Sequence, residues 1–237
     1  MKFTVIRFLK LAFIRLRLHV LFLWLTGLWQ QMTWMTRLSK WVSLNKKIAF
    51  NDFPSKWDYN KRYNLYQYII EKEVLSFAIN YLEFGVADGH SFNWWMAANN
   101  HGASRFYGFD TFTGLPENFG PYKKGTFDTG NTFPVIKDER GKLYAGLFQQ
   151  TLPGFLKGFD NSKKLVVMLD ADLYTATLFV LTSLAPFLKK DDIIFFDEFV
   201  VPTHEFMAYR HFIKSYHVDL ELTGAANNYY FVAFKVK

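Results

Sequence analysis

The sequence contains no cysteine. Disulfides, thiolate metal sites and cysteine nucleophiles are therefore excluded, and the absence fits a reducing compartment. Half of the residues are hydrophobic and a fifth are aromatic. A chain of 237 residues with this composition can bury the core that one catalytic domain with an appendage needs.

Acidic residues are missing from residues 1–50, which hold nine lysines and arginines. We call this segment the leader. Residues 51–237 hold the other 19 basic residues and all 21 acidic ones, so their net charge is −2, against +7 for the whole chain. Enzymes that act on nucleic acid usually carry a basic patch beside the active site. We therefore expect a nearly neutral domain behind a cationic leader, and no nucleic-acid partner.

The leader also lacks an apolar run of membrane-spanning length. Its apolar stretch, Leu18–Trp29, has twelve residues, whereas a spanning helix needs about 20. Extending the stretch backwards would place Arg15 and Arg17 at bilayer depth, where charges are costly. No small-residue cleavage site follows, as a signal peptide requires. We expect neither a spanning helix nor a cleaved signal.

Tryptophans and cations dominate what remains of the leader. Trp34, Leu38 and Trp41 recur at helical spacing with Arg37 and Lys40 between them. Such a basic, aromatic segment suits the surface of an anionic membrane, which would place the protein in the cytoplasm, peripheral to the inner face of the membrane. The alternative is a pair of helices that packs on the domain or on a second subunit.

Residues 51–237 alternate apolar runs with helical patterns, which predicts an α/β domain with a mostly parallel sheet. A polar stretch at 116–142 between the second and third strands has a length typical of loops that cover or recognise a ligand. The predicted strands are Tyr81–Val86, Arg105–Phe109, Leu143–Gly146, Leu165–Leu169, Ile193–Phe196 and Tyr229–Val236. The predicted helices are Asn60–Asn80, one starting near Ser91, Tyr174–Leu188 and Thr203–Ser215.

Acidic residues recur at the carboxyl ends of four of these strands. They are Glu83, Asp110, the pair Asp170 and Asp172, and the pair Asp197 and Glu198. In an open α/β sheet, ligands bind at this edge. We therefore expect these carboxylates to surround one ligand site.

The first strand ends in the turn Glu83–Ser91, in which Gly85 and Gly89 allow close approach of a ligand. A dinucleotide fingerprint, G-x-G-x-x-G, is not matched here, because alanine and histidine replace its second and third glycines. Glu83 suits a cationic amino or sulfonium group. Asp110, at the end of the second strand, is placed to bind the hydroxyls of an adenosine ribose.

Four segments together resemble the macrocin O-methyltransferases: Glu83–Ser91, Gly108–Glu117, Gly146–Pro153 and Leu169–Tyr174. The resemblance covers the chain from about Tyr59 onward and leaves the leader without a counterpart. It implies a Rossmann-like class I fold with a seven-stranded, mostly parallel sheet and helices on both faces. It also implies methyl transfer from S-adenosylmethionine to a sugar hydroxyl, usually with Mg²⁺.

The resemblance further implies roles for individual residues. Asp170, Asp197 and Glu198 resemble the metal ligands and Asp172 the general base; Glu198 stands where the family usually has a second aspartate. His204 is a second candidate for a base or a substrate contact, and otherwise caps or packs at the start of the next helix. The expected cofactor-binding residues are Glu83, Phe84, Gly85, Gly89, Ser91, Asp110, Thr111, Phe112 and Gly146.

This chemistry suits the residues, because a hard dication stabilises a developing alkoxide while a carboxylate accepts its proton. Carboxylate oxygens are ligands that Mg²⁺ prefers. The expected acceptor is a hydroxyl of a sugar, glycolipid or small natural product. Two alternatives stay open at this stage: a nucleotide-dependent oxidoreductase, and a non-catalytic, cofactor-binding module at a membrane.

Overall fold

The computed structural model describes residues 2–237. Two helices form the leader, α1 (Lys2–Arg15) and α2 (His19–Leu44). The domain follows in the order α3 (Lys61–Lys72), β1 (Ile79–Phe84), α4 (His90–Ala98), β2 (Arg105–Asp110), β3 (Gly141–Ala145), α5 (Phe148–Leu156), β4 (Lys164–Leu169), α6 (Tyr174–Leu184), β5 (Ile193–Phe196), α7 (Glu205–Tyr216), β6 (Leu220–Ala226) and β7 (Phe231–Val236).

One seven-stranded sheet has the strand order β3-β2-β1-β4-β5-β7-β6. Neighbours from β3 to β5 pair in parallel, and β7 pairs antiparallel with both β5 and β6. From β1 the chain continues to β2 and β3 on one side, whereas β4 lies on the other side of β1 and starts the half that contains β5, β7 and β6. The strand order therefore switches between β1 and β4. Ligands bind at such a switch point in α/β sheets.

Each face of the sheet is covered by its own apolar layer, as the near-continuous apolar runs of β1, β4 and β5 require. On one side α3 and α4 pack through Leu65, Ile69 and Trp95. On the other side α5, α6 and α7 pack together with the second half of α2, which contributes Trp34 and Trp41. The predicted Rossmann-like class I fold is confirmed.

Several element boundaries differ from the sequence-based prediction. The predicted helix Asn60–Asn80 ends at Lys72, and β1 starts at Ile79. The helix predicted to run to Leu188 ends at Leu184, with a short 3₁₀ turn after it. The pattern missed α5 and β6. Neither leader helix, nor any other helix within residues 2–237, has an apolar stretch long enough to cross a membrane.

Candidate active site

A pocket of about 530 Å³ opens at the carboxyl ends of β1, β2, β4 and β5. This volume falls within the range usual for small-molecule sites. Part of its wall comes from the long loop between β2 and β3, through Leu115, Pro116 and Phe127. Leu115 and Phe119 of that loop are buried against Leu173 and its neighbours. The loop predicted to cover a ligand therefore does form a wall of the pocket.

Gly85 lets the first turn pass close to β4. Its φ of +96° favours glycine, and a Cβ added there would lie 1.8 Å from the carbonyl oxygen of Asp170. The turn therefore stays open to the pocket, which Gly85 lines together with Val86 and Ala87.

Asp110 joins the first turn to the loop after β2. Its Oδ2 accepts hydrogen bonds from the backbone N–H groups of Val86 and Ala87, both at 2.8 Å. Its Oδ1 accepts one from Phe112 N–H, also at 2.8 Å. A carboxylate can accept about four hydrogen bonds, and the fourth here comes from the Thr111 hydroxyl at 3.5 Å. Asp110 faces the pocket, so a ligand hydroxyl there would replace this long contact.

Glu83 lies behind the pocket wall. It is fully buried, and its carboxylate accepts hydrogen bonds from the hydroxyls of Tyr81 and Ser91. Burial raises the pKa of Glu83 to about 8. Ser91 lines the pocket, whereas Glu83 does not. Glu83 therefore influences the pocket only through its hydrogen bond with Ser91. This differs from our expectation that Glu83 itself faces a cationic group of the ligand.

The predicted site residues divide into two groups. Those that line the pocket are Gly85, Ser91, Asp110, Thr111, Asp170, Asp172 and Glu198. Those that support the wall without lining it are Glu83, Phe84, Gly89, Phe112, Gly146, Asp197 and His204. Phe84 stacks on Phe109 at 4.9 Å, and Phe112 packs on Phe133. The cofactor-binding, metal-binding and catalytic roles of both groups stay predictions.

Arg62, on α3, lies among the acidic residues at the ends of β4 and β5. Its guanidinium is 3.0 Å from Asp170 Oδ2 and 2.9 Å from Asp197 Oδ1. Asp197 also accepts hydrogen bonds from Tyr59, at 3.1 Å, and from Tyr66, at 3.4 Å. Asp197 is 1% exposed, so both of its oxygens are bound inside the protein.

Asp172 and Glu198 both line the pocket and lie close enough for each to change the pKa of the other. Burial, reinforced by the negative charges of Asp170 and Glu198, raises the pKa of Asp172 to about 9. Burial also raises the pKa of Glu198. Two carboxylates this close share a proton, or else attract a cation.

A metal ion is one way to balance this charge. Within residues 2–237, no three acidic, histidine or cysteine side chains are arranged as a ready metal site. The chemistry of the residues nevertheless fits Mg²⁺. Four carboxylates follow β4 and β5, and the one guanidinium among them pairs with only two, Asp170 and Asp197. In addition, Oε2 of Glu198 is buried without a hydrogen-bond partner among the described residues. From the pocket, Asp170 and Glu198 are accessible to such an ion, while Asp197 is held by Arg62.

His204 lies outside the pocket. Its Nδ1 accepts a hydrogen bond from the backbone N–H of Tyr174 at 3.3 Å, and its ring packs edge-on against Phe119. Burial lowers its pKa, so the ring is neutral near pH 7. In this position His204 tethers the loop after β5 to the start of α6. Its role as a base stays a prediction.

Sequence reasoning missed the contribution of α3 and the segment before it. Four residues of this region line the pocket: Tyr59, Asn60, Arg62 and Tyr63. They form no motif, and Arg62 lies 108 residues before Asp170 in the sequence. One signal was available. Four carboxylates predicted to meet at one edge favour a cation beside them, and an arginine can supply that charge as well as a metal can.

Comparisons with known proteins point to the same part of the chain as the pocket does. A family model described as a methyltransferase domain matches residues 82–199. That stretch begins in β1, ends just after Glu198, and includes every strand end that lines the pocket. Residues 82–199 are a methyltransferase domain, and they lie on the fold of class I S-adenosylmethionine-dependent methyltransferases. This finding removes the oxidoreductase alternative.

Solved structures resemble this methyltransferase over most of its length. The calicheamicin methyltransferase CalS11 is 21% identical, with a TM-score of 0.60 over 86% of this chain and 91% of that one. The apo structure of CalS11, described as a TDP-rhamnose 3'-O-methyltransferase, is 22% identical, with a TM-score of 0.53 over 86% and 93%. The O-methyltransferase NovP is 17% identical, with a TM-score of 0.56 over 74% and 78%. At these identities the likeness concerns the fold. No curated protein matched the sequence.

Proposed function

We propose that this methyltransferase transfers the methyl group of S-adenosylmethionine to a hydroxyl of a sugar or sugar-containing acceptor, with help from Mg²⁺. The observation that carries the proposal is the placement of Asp170, Asp172 and Glu198 in the pocket that Gly85 and Asp110 also line. A carboxylate cluster beside the first turn suits deprotonation of an alcohol next to the cofactor. The description of CalS11 as a sugar O-methyltransferase supports the choice of acceptor.

The cofactor is expected to lie along the first turn. Asp110 is positioned to accept hydrogen bonds from its ribose hydroxyls, and Thr111 lines the pocket next to Asp110. Ser91, held by the buried Glu83, faces the methionine end. The wall formed by Leu115, Pro116 and Phe127 excludes water from the reacting groups.

Methyl transfer then needs one proton acceptor. The hydroxyl oxygen attacks the sulfonium methyl carbon, the sulfur–carbon bond breaks, its electron pair returns to sulfur, and the hydroxyl proton passes to Asp172. Because the pKa of Asp172 is raised to about 9, Asp172 accepts this proton only in its ionised form, which a cation bound beside it would favour. Alignment of oxygen, carbon and sulfur supplies much of the rate. Mg²⁺ bound to Asp170 and Glu198 would supply positive charge for the developing alkoxide. Asp197 would join these ligands only if Arg62 withdraws from it.

The test is methyl transfer by the full-length protein to a panel of acceptors, followed by mass spectrometry. The panel contains TDP-rhamnose, other nucleotide-linked sugars, a glycolipid and a catechol. We expect S-adenosylhomocysteine and a singly methylated sugar as products. Methylation of the catechol alone would overturn the sugar assignment. Cofactor binding without transfer to any acceptor would support the alternative of a non-catalytic module.

The metal assignment has its own test. EDTA should abolish turnover, and added Mg²⁺ should restore it. Asp170→Asn should raise the Mg²⁺ concentration needed for half-maximal turnover more than Asp197→Asn, because Asp170 faces the pocket and Asp197 does not. Full activity in EDTA would show that the carboxylates act without a metal.

A further inference from the structure

The structure divides the leader into two parts with different surroundings. In the second half of α2, Trp34 and Trp41 are each 7% exposed. Trp41 packs on Phe199, at 4.9 Å between ring centroids, and on Phe234. This half belongs to the core of the domain. We call residues 3–33, which comprise α1 from Phe3 onward and the first half of α2, the leader tip.

The leader tip is the most apolar surface of the described chain. It carries seventeen of the thirty large apolar side chains that are exposed. Phe3 is 82% exposed and Trp24 is 77% exposed. The contact of Phe22 with Phe13 joins α1 to α2, and Phe22 also contacts Trp29 within α2, but these contacts leave the outer surface uncovered. Exposed apolar surface of this extent marks an interaction site.

The charge of the leader tip has one sign. Arg7, Lys10, Arg15 and Arg17 are exposed, and the segment has no acidic residue. No salt bridge in the described residues involves any of these four cations. The partner must therefore offer apolar contact and negative charge over the same area.

We propose that the leader tip inserts into the headgroup region of an anionic lipid bilayer. The fourteen residues of α1 extend about 21 Å, and the fifteen of α2 within the tip about 22 Å. Both are shorter than the bilayer core of about 30 Å, so the helices lie in the interface and do not cross it. Cations interleaved with tryptophan and phenylalanine are typical of interfacial helices.

A second copy of the chain fits this surface less well than a bilayer. A two-fold dimer formed by the leader tips would bring eight exposed cations, four per chain, together without an acidic residue between them. The apolar side chains also surround α1 instead of forming one stripe, whereas a helix–helix interface uses one face. A fluid lipid surface accepts such a distribution and supplies the opposite charge.

The test is flotation of the full-length protein with vesicles on a density gradient, which separates binding from aggregation. One set of vesicles contains phosphatidylcholine and phosphatidylglycerol, and the other contains phosphatidylcholine alone. We expect flotation with the anionic set and much weaker flotation with the neutral set. A triple variant, Arg7→Gln, Lys10→Gln and Arg15→Gln, should bind the anionic vesicles at least ~10-fold more weakly, since each cation near the surface contributes.

The matched charge control is Lys137→Gln, Lys157→Gln and Lys190→Gln, which removes the same charge from exposed positions of the domain. It should float as the wild type does. Trp24→Ser should weaken flotation, whereas Phe77→Ser, at a domain position 67% exposed, should not. Equal losses in both triple variants would show that net charge alone is responsible and would overturn the proposal. So would a leader-dependent dimer in light scattering that fails to float with either vesicle set.

Discussion

The guanidinium of Arg62 lies between two carboxylates from different strand ends, 3.0 Å from Asp170 and 2.9 Å from Asp197. One side chain of α3 therefore pairs with carboxylates at the ends of both β4 and β5, two neighbouring strands of the sheet. The Arg62 side chain is only 5% exposed, so burial limits how far water can replace its charge.

Arg62→Met should destabilise the protein by about 3–5 kcal/mol, because it leaves the carboxylate of Asp197 buried without its cation. Urea unfolding at pH 7 measures this change. Arg105→Met is the control, since Arg105 is exposed and its guanidinium binds only carbonyl oxygens in the structure. Equal stabilities of the two variants would mean that Arg62 does not neutralise the cluster.

Asp172→Asn should separate chemistry from binding. The variant should bind S-adenosylhomocysteine as the wild type does, because Asp110 and the first turn are unchanged. Turnover should fall by a factor of ~10²–10⁴, the usual contribution of a general base. Calorimetry and the methyl-transfer assay give the two measurements. Near-normal turnover would move the role of base to another group.

Asp110→Ala should weaken binding of S-adenosylmethionine about 10- to 100-fold, as expected for loss of ~1.5–3 kcal/mol of charge-assisted hydrogen bonding. It also removes three acceptor contacts to the backbone, so the thermal midpoint should fall. Asp219→Ala, at an exposed position, should change neither quantity. An unchanged affinity would take Asp110 out of the cofactor site.

Glu83→Gln should raise stability more at pH 8 than at pH 5. The folded-state pKa of Glu83 is about 8 because of burial, against an ordinary value of 4.5. Between these values the folded protein holds a proton that the unfolded chain has released, so this group lowers the free energy of unfolding as pH rises. Glutamine keeps an acceptor for Ser91 and removes the ionisation. Thermal midpoints of both proteins across this pH range test the idea; a constant difference would contradict it.

Trp41→Ala should cost about 3–5 kcal/mol, as expected for a large aromatic side chain removed from a core. Trp29→Ala should cost little, because Trp29 is 52% exposed. Urea unfolding compares the two. A small effect at Trp41 would mean that the second half of α2 is not part of the domain core.

The strands that carry the site were predictable because they are apolar on both faces and end in carboxylates. β4 and β5 start within one residue of the predicted positions, and Asp170, Asp172 and Glu198 line one pocket as expected. β6 was missed for a physical reason. β6 combines one glutamate with threonine, glycine and alanine residues, a composition that resembles a loop in the sequence. The glycine is needed there, because a Cβ at Gly224 would lie 2.6 Å from Leu65.

The depth of each acidic side chain was less predictable than its position along the chain. Glu83 and Asp197 each occupy a strand end, yet both point into the protein, toward Ser91 and Arg62 respectively. Position at the carboxyl edge fixes where the backbone lies but not which partner the side chain finds. Arg62, distant in sequence and part of no motif, could be inferred only from the charge that the cluster lacks.

The place of β7 between β5 and β6 has a consequence for synthesis on the ribosome. β5 has no neighbour on that side until residues 231–236 have been made, and Glu198 lacks its hydrogen bond from Tyr230 until the same moment. The pocket walls from β1, β2 and β4 can therefore form while the acidic cluster still has an open edge. The residues proposed to bind the cofactor, Gly85 and Asp110, are thus synthesised well before the residue that completes the surroundings of Glu198.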